Sequence, residues 1–136
     1  MSRLTWDEYF LEIAKVVAQR STCLKRKYGA VITKDNTIIS TGYNGSPRGE
    51  INCCDTGICE RLNVEHNSGN YNRCKSVHAE QNCLINASRQ DMIGGVLYLY
   101  GEENGKSVDC EPCPICARMI QNAGITRVVC SKKVGK

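Results

Sequence analysis

The stretch Pro112-Cys113-Pro114-Ile115-Cys116, taken together with His78-Ala79-Glu80 upstream, decides how the rest of this chain is arranged. Pro114 suits the first turn of a helix, where its missing N–H costs nothing. Cys113 and Cys116, three positions apart, then face one point. His78 and Glu80 open another helix. Between the two helix starts runs Gly95-Val96-Leu97-Tyr98-Leu99-Tyr100, an apolar run that reads as a buried strand. Helices alternating with strands in this way argue for an α/β layered sheet.

The chemistry follows from the same residues. His78, Cys113 and Cys116 are three ligand-type side chains, and Glu80 is a carboxylate left over. Zinc held by three protein ligands keeps a fourth position for water and brings the pKa of that water to about 7, the catalytic arrangement. Two helix N-termini pointing at the metal favour the thiolates by their partial positive charge. Glu80 is then placed to take the water proton and pass it on to the reacting group. The structural alternative is a closed four-ligand knuckle that adds a further cysteine such as Cys110. An unligated Glu80 has no job there.

Working outward, Thr5 and Glu8 form a capping box, and Trp6, Phe10, Ile13 and Val17 recur at helical spacing, so a first helix is expected over residues 5–20. Ala30-Val31-Ile32-Thr33 and Thr37-Ile38-Ile39-Ser40 flank Asp35-Asn36, a hairpin pattern. The second strand runs into Gly42-Tyr43-Asn44-Gly45-Ser46-Pro47. No period is visible from Ser46 to Val77, an uncommon length of unpatterned chain unless it is functional or tied down. A helix is expected over 79–89, a loop over 101–112, a helix from Pro114 stopped by Gly124, and a last strand over 126–130. The expected order is α-β-β-α-β-α-β, in a single domain spanning residues 1–136, the first strand pair antiparallel and the later strands joined by helical crossovers.

Bulk properties narrow the setting. The net charge of +4 suits a phosphorylated small molecule and contains no run resembling a nucleic-acid arm. No apolar stretch approaches membrane length. The N-terminus does not read as a signal peptide, so a cytoplasmic protein with reduced thiols is expected, in the host cytoplasm if the source is viral. Ten cysteines are many for such a chain, and metal binding is the first explanation.

The H-x-E…P-C-x-x-C pattern is the signature of zinc nucleobase deaminases, and the chain resembles the cytidine deaminase superfamily, its deoxycytidylate (dCMP) deaminase branch in particular. The branch resemblance is carried by Arg20-Ser21-Thr22-Cys23, Gly29-Ala30-Val31-Ile32, Thr41-Gly42-Tyr43-Asn44-Gly45-Ser46-Pro47-Arg48-Gly49 and His78-Ala79-Glu80-Gln81-Asn82. It implies a three-layer α-β-α fold around a mixed sheet, here a short form of about four to five strands. It also implies zinc-dependent hydrolysis of dCMP to dUMP and ammonia, with His78, Cys113 and Cys116 as ligands and Glu80 as proton shuttle. Asn44 is expected at the sugar, the Ala79 backbone at the pyrimidine edge, and Arg26, or Lys25 beside it, at the 5′-phosphate. Many members are hexamers activated by dCTP and inhibited by dTTP with Mg2+. Gly42, Tyr43, Asn44, Gly45, Ser46 and Arg48 are expected at that effector site.

Cys23, Cys53, Cys59 and Cys74 are expected to hold a second, structural zinc, with His66 as the alternative to Cys59; unligated thiols or disulfides are the competing reading. Cys83 and Cys130 read as core thiols. The 101–111 loop is expected to cover the substrate or build a subunit contact, and Arg89 either meets a neighbouring subunit or effector or satisfies a helix end. Two other functions remain open at this point: a tRNA adenosine deaminase, against which the Gly-Tyr-Asn-Gly loop speaks, and a non-enzymatic zinc interaction module.

Overall fold

The computed structural model describes residues 2–50, 52 and 76–133. Among these, the chain forms α1 (Trp6–Ala18), β1 (Lys27–Lys34), β2 (Thr37–Tyr43), α2 (Ala79–Ile85), α3 (Arg89–Met92), β3 (Val96–Glu103), β4 (Lys106–Ser107), α4 (Pro114–Asn122) and β5 (Arg127–Cys130). The sheet runs β2-β1-β3-β4, with β5 also on β3. β1 is antiparallel to both β2 and β3, whereas β5 is parallel to β3, so the sheet is mixed as expected.

Alternation along the central strands builds two cores. Ala30, Ile32, Leu97 and Leu99 pack on one face with Ala79, Cys83 and Leu84 of α2, Met92 of α3 and Ile120 of α4. Val31, Tyr98 and Tyr100 pack on the other with Phe10, Ala14 and Ala18 of α1. β1 and β3 are buried on both faces and so read as continuous apolar runs, while their side chains still alternate between layers. The three-layer expectation holds.

The capping box of α1 forms as predicted: Glu8 N–H donates to Thr5 Oγ1 at 3.1 Å, and Thr5 N–H donates to Glu8 Oε1 at 2.8 Å. Trp6 departs from the predicted stripe. It is 55% exposed and stacks on Phe10, which fills the core instead. Asp7 ties the helix to the sheet through Arg127 and the Tyr98 hydroxyl, and the Arg127 guanidinium holds its carboxyl below the usual range.

The β1–β2 hairpin turns at Asp35 and Asn36, both at positive φ (53° and 59°), which matches strand twist in a two-residue turn. Two other expectations need correction. The strand predicted to end at Tyr100 continues to Glu103, and the predicted loop begins as a second hairpin. Asn104 and Gly105 sit at φ 55° and 79°, and Lys106 and Ser107 return along Glu103 and Glu102. Asn-Gly is a strong two-residue hairpin signal that the loop reading passed over. The helix predicted over 79–89 stops at Ile85, because Ser88 starts a new turn: its hydroxyl accepts the Asp91 N–H at 3.2 Å. Arg89, expected to close the 79–89 helix, instead opens α3 and donates to the Asn122 carbonyl at the end of α4 (3.4 Å).

Two glycines set how closely the helices approach the sheet. A Cβ on Gly29 would lie 2.1 Å from the Ala14 carbonyl of α1, and one on Gly42 would lie 2.4 Å from Cys83 N and 2.7 Å from the Ala79 carbonyl of α2. Both obstacles are helix backbone and cannot step aside. Gly42→Ala is therefore expected to destabilise the protein by about 1–3 kcal/mol or more, the range for forced overpacking. It should also loosen zinc, because α2 opens at His78. Urea unfolding with parallel metal quantification checks both effects.

Candidate active site

α2 and α4 lie on the same face of the sheet, and each delivers its first residues to one point. His78 is the residue before α2 and has extended backbone, with its own N–H donating to Gln81 Oε1 at 2.9 Å. Cys113 stands in the same position before α4, and its Sγ accepts the Cys116 N–H at 3.4 Å. His78 Nδ1 lies 3.3 Å from Cys116 Sγ and 3.7 Å from Cys113 Sγ. All three donor atoms fall within 4.8 Å of one another, and among the described residues they form the only such group.

The donor set fits zinc. Tetrahedral coordination at ordinary Zn–S and Zn–N lengths separates a ligand nitrogen from a ligand sulfur by about 3.6 Å, which the two observed separations bracket. The charges fit as well. Cys113 and Cys116 are 6% and 0% exposed, and Glu80 beside them is 5% exposed. Burial pushes the Cys116 thiol up, and the charges on Glu80 and Cys113 push it further. Three acidic groups buried together are costly unless a cation joins them. Burial also raises the Glu80 carboxyl, against the opposing pull of its own N–H and of Cys116. A carboxyl made readier to hold a proton suits a group that must both take and give one.

Cys110, the fourth ligand of the closed alternative, is turned elsewhere. Its thiol faces the Leu99 carbonyl at 3.6 Å and the Ser131 hydroxyl at 3.4 Å. The six cysteines of the described residues (Cys23, Cys83, Cys110, Cys113, Cys116 and Cys130) are free thiols. Cys83 is fully buried against Ser40, in keeping with a core thiol. Cys53, Cys59, Cys74 and His66 lie outside the described residues, so of the second cluster only half-buried Cys23 is placed.

The other predicted residues separate into two places. Asn44 is buried and clamps the start of β1: its Oδ1 accepts the Tyr28 N–H at 2.8 Å, and its Nδ2 donates to the Arg26 carbonyl at 2.9 Å. Arg26 pairs with Glu103 at 2.7 Å and donates to the Tyr28 hydroxyl at 3.3 Å. That hydroxyl is pushed up to about 12, mainly by burial, and the charge of Glu80 reaches it. Tyr28 and Glu103 were missed from sequence, although the Asn104-Gly105 turn that returns the chain beside Glu103 was there to be read.

Gly42, Tyr43, Gly45, Ser46 and Arg48 face instead a cavity of about 390 Å³, which Arg20, Asn82 and Asn86 also line. Asn44 is not among its walls. The two asparagines of α2 bind edge carbonyls of β2, Asn82 to Tyr43 (2.8 Å) and Asn86 to Thr41 (2.9 Å). The missing side chain of Gly45 makes room for Thr22, whose hydroxyl would lie 2.7 Å from a Cβ there. Among the described residues, no helix is long and apolar enough to cross a membrane.

Comparison with known proteins agrees with this geometry. The model of the cytidine and deoxycytidylate deaminase zinc-binding region matches residues 4–132. The deoxycytidylate deaminase of Mycobacterium phage D29 is 43% identical over 98% of this chain and 99% of its own length. That of Schizosaccharomyces pombe is 41% identical over 93% of this chain, which spans 37% of the longer yeast protein. The dCMP deaminase of cyanophage S-TIM5, solved with dCMP and dUMP, superposes with a TM-score of 0.70 at 28% identity, covering 96% of this chain and 83% of that one. With three zinc-type donors assembled on a sheet of the matching kind, this chain belongs to the cytidine and deoxycytidylate deaminase family with its zinc-binding region.

Proposed function

We propose that this chain is a dCMP deaminase, adding water to dCMP and releasing dUMP and ammonia to supply thymidylate synthesis. One observation carries the reading: three zinc-type donors meet beside a buried carboxylate that is not one of them, on a chain similar to a deoxycytidylate deaminase along nearly its whole length. His78, Cys113 and Cys116 would hold zinc, which when bound would supply an acidified water. Glu80 would carry one proton of that water to the pyrimidine ring nitrogen, and then the second, from the hydroxyl added to the ring carbon, to the departing amine. The N–H of Ala79, at the first position of α2, has no intrahelical partner by geometry and is available to the pyrimidine carbonyl. Asn44 retains one amide hydrogen and one lone pair after clamping β1, enough for a sugar hydroxyl. Arg26 meets the 5′-phosphate.

The remaining features extend this reading. Cys23, Cys53, Cys74 and either Cys59 or His66 hold a second zinc, which supplies folding energy to an unpatterned stretch. The 390 Å³ cavity is of ligand-pocket size, and Arg20 and Arg48 on its wall give it cations for phosphates. It takes dCTP as activator and dTTP with Mg2+ as inhibitor, in a homohexamer of cytoplasmic enzyme.

Three measurements test these statements. Glu80→Gln is expected to keep its zinc and melting temperature while ammonia release from dCMP falls by about 10²–10⁴-fold; retained turnover, or loss of the metal, contradicts the shuttle. Elemental analysis should return two zincs per chain, and a single zinc with the 53–74 cysteines readily alkylated in the native protein removes the second site. Initial rates against dCMP should be sigmoidal, made hyperbolic by dCTP and suppressed by dTTP, and kinetics indifferent to both nucleotides remove the effector site.

A further inference from the structure

The β3–β4 hairpin, which the sequence pattern hid in a loop, brings an acid to Arg26. Glu103 Oε1 accepts Arg26 Nε–H at 2.7 Å, and the Tyr28 hydroxyl accepts from Nη1 at 3.3 Å. The Arg26 side chain is 21% exposed and that of Glu103 is 41% exposed, so the pair is half withdrawn from water. The backbone below is held too, since Asn44 clamps the residues on either side of Lys27. Tyr28 pairs with Gly101 across β1 and β3, and a Cβ on Gly101 would lie 2.6 Å from the Tyr28 ring. A glycine at that register position makes room for the tyrosine. Asn44, the residue proposed to meet the sugar, is bonded to the backbone on both sides of this network.

A guanidinium has five N–H donors in a rigid fork. Two are engaged here, by Glu103 and Tyr28, which leaves three and fixes the plane in which they point. We propose that Glu103 is a positioning residue: carried to the site by the hairpin, it holds the Arg26 guanidinium in the orientation that meets the 5′-phosphate of the substrate. The inference rests on the reading of Arg26 as the phosphate contact. Glu103 is not one of the three donors that meet at His78, and it acts through Arg26.

Two effects of removing Glu103 oppose each other, which makes the experiment decisive. Losing a carboxylate near a phosphate dianion relieves repulsion and lowers KM; losing the anchor frees a long side chain and raises it. Positioning predicts that the second effect wins. In the zinc-loaded protein, Glu103→Ala should raise KM for dCMP by about tenfold with kcat within about twofold, and weaken dUMP product inhibition in parallel. Glu103→Gln keeps an oxygen acceptor without the charge and should fall between the two, with melting close to the parent protein. In an Arg26→Ala background, where KM is already raised and only the relieved repulsion remains, Glu103→Ala should add no penalty and leave KM unchanged or lower. An unchanged or lowered KM in Glu103→Ala, or a penalty of the same size in both backgrounds, overturns positioning while leaving Arg26 at the phosphate. An unchanged KM in Arg26→Ala overturns the phosphate contact and the inference with it.

Discussion

Everything at this site depends on how closely α2 can lie against β2. The imidazole of His78 and the thiols of Cys113 and Cys116 come from helices far apart in sequence, and they meet only because both helices rest on one face of the sheet. The approach is set by Gly42, whose absent side chain leaves the first two turns of α2 in contact with β2 backbone. The shared core of Ala30, Ile32, Leu97, Leu99, Cys83 and Ile120 then holds both helices in place. The metal centre alone does not supply this order. Burial opposes ionisation of the Cys116 thiol and the Glu80 carboxyl until a cation arrives, so the apolar face of the sheet must assemble the donors in advance.

The end of β2 serves two places at once. Asn44 turns inward and fastens the start of β1, while its neighbours Gly42, Tyr43, Gly45 and Ser46 wall the cavity on the other side. The helix that opens with His78 and Glu80 also lines that cavity with Asn82 and Asn86, and the same two amides are bonded to β2 carbonyls. Under the proposed reading, a ligand in the cavity would compete for or reinforce those bonds. A change there would reach Glu80 through a single helix of seven residues.

What the sequence displayed and what it hid divide along a physical line. The zinc donors, the capping box of α1, the Asp35-Asn36 hairpin and the three layers were legible because each rests on a local pattern: ligand spacing, a capping pair, a turn dipeptide, a hydrophobic period. The split of the predicted 79–89 helix was missed because the run of helix-compatible residues masks the start signal at Ser88. Trp6 was misplaced because periodicity marks a face without saying which aromatic fills it; Phe10 lies over Val31 and Tyr98, and Trp6 stacks outside it. Gly42 was visible as a glycine in a turn-like segment, yet its role lies in backbone from a distant helix, which no local pattern encodes.

Under the proposed reading, the Glu103–Arg26–Tyr28 network explains why a mild net charge is no guide to a phosphate site. A charge of +4 on 136 residues gives only a weak general attraction, screened within about 8–10 Å of the surface at ordinary salt. Selectivity for a monophosphate over its nucleoside requires instead one cation fixed in direction. An arginine free to swing would spend its attraction on ordering itself when substrate arrived. Pairing it with a carboxylate weakens the charge the phosphate feels and removes most of that ordering cost. The trade favours the pair where the fork is half buried, because direction matters there more than field strength.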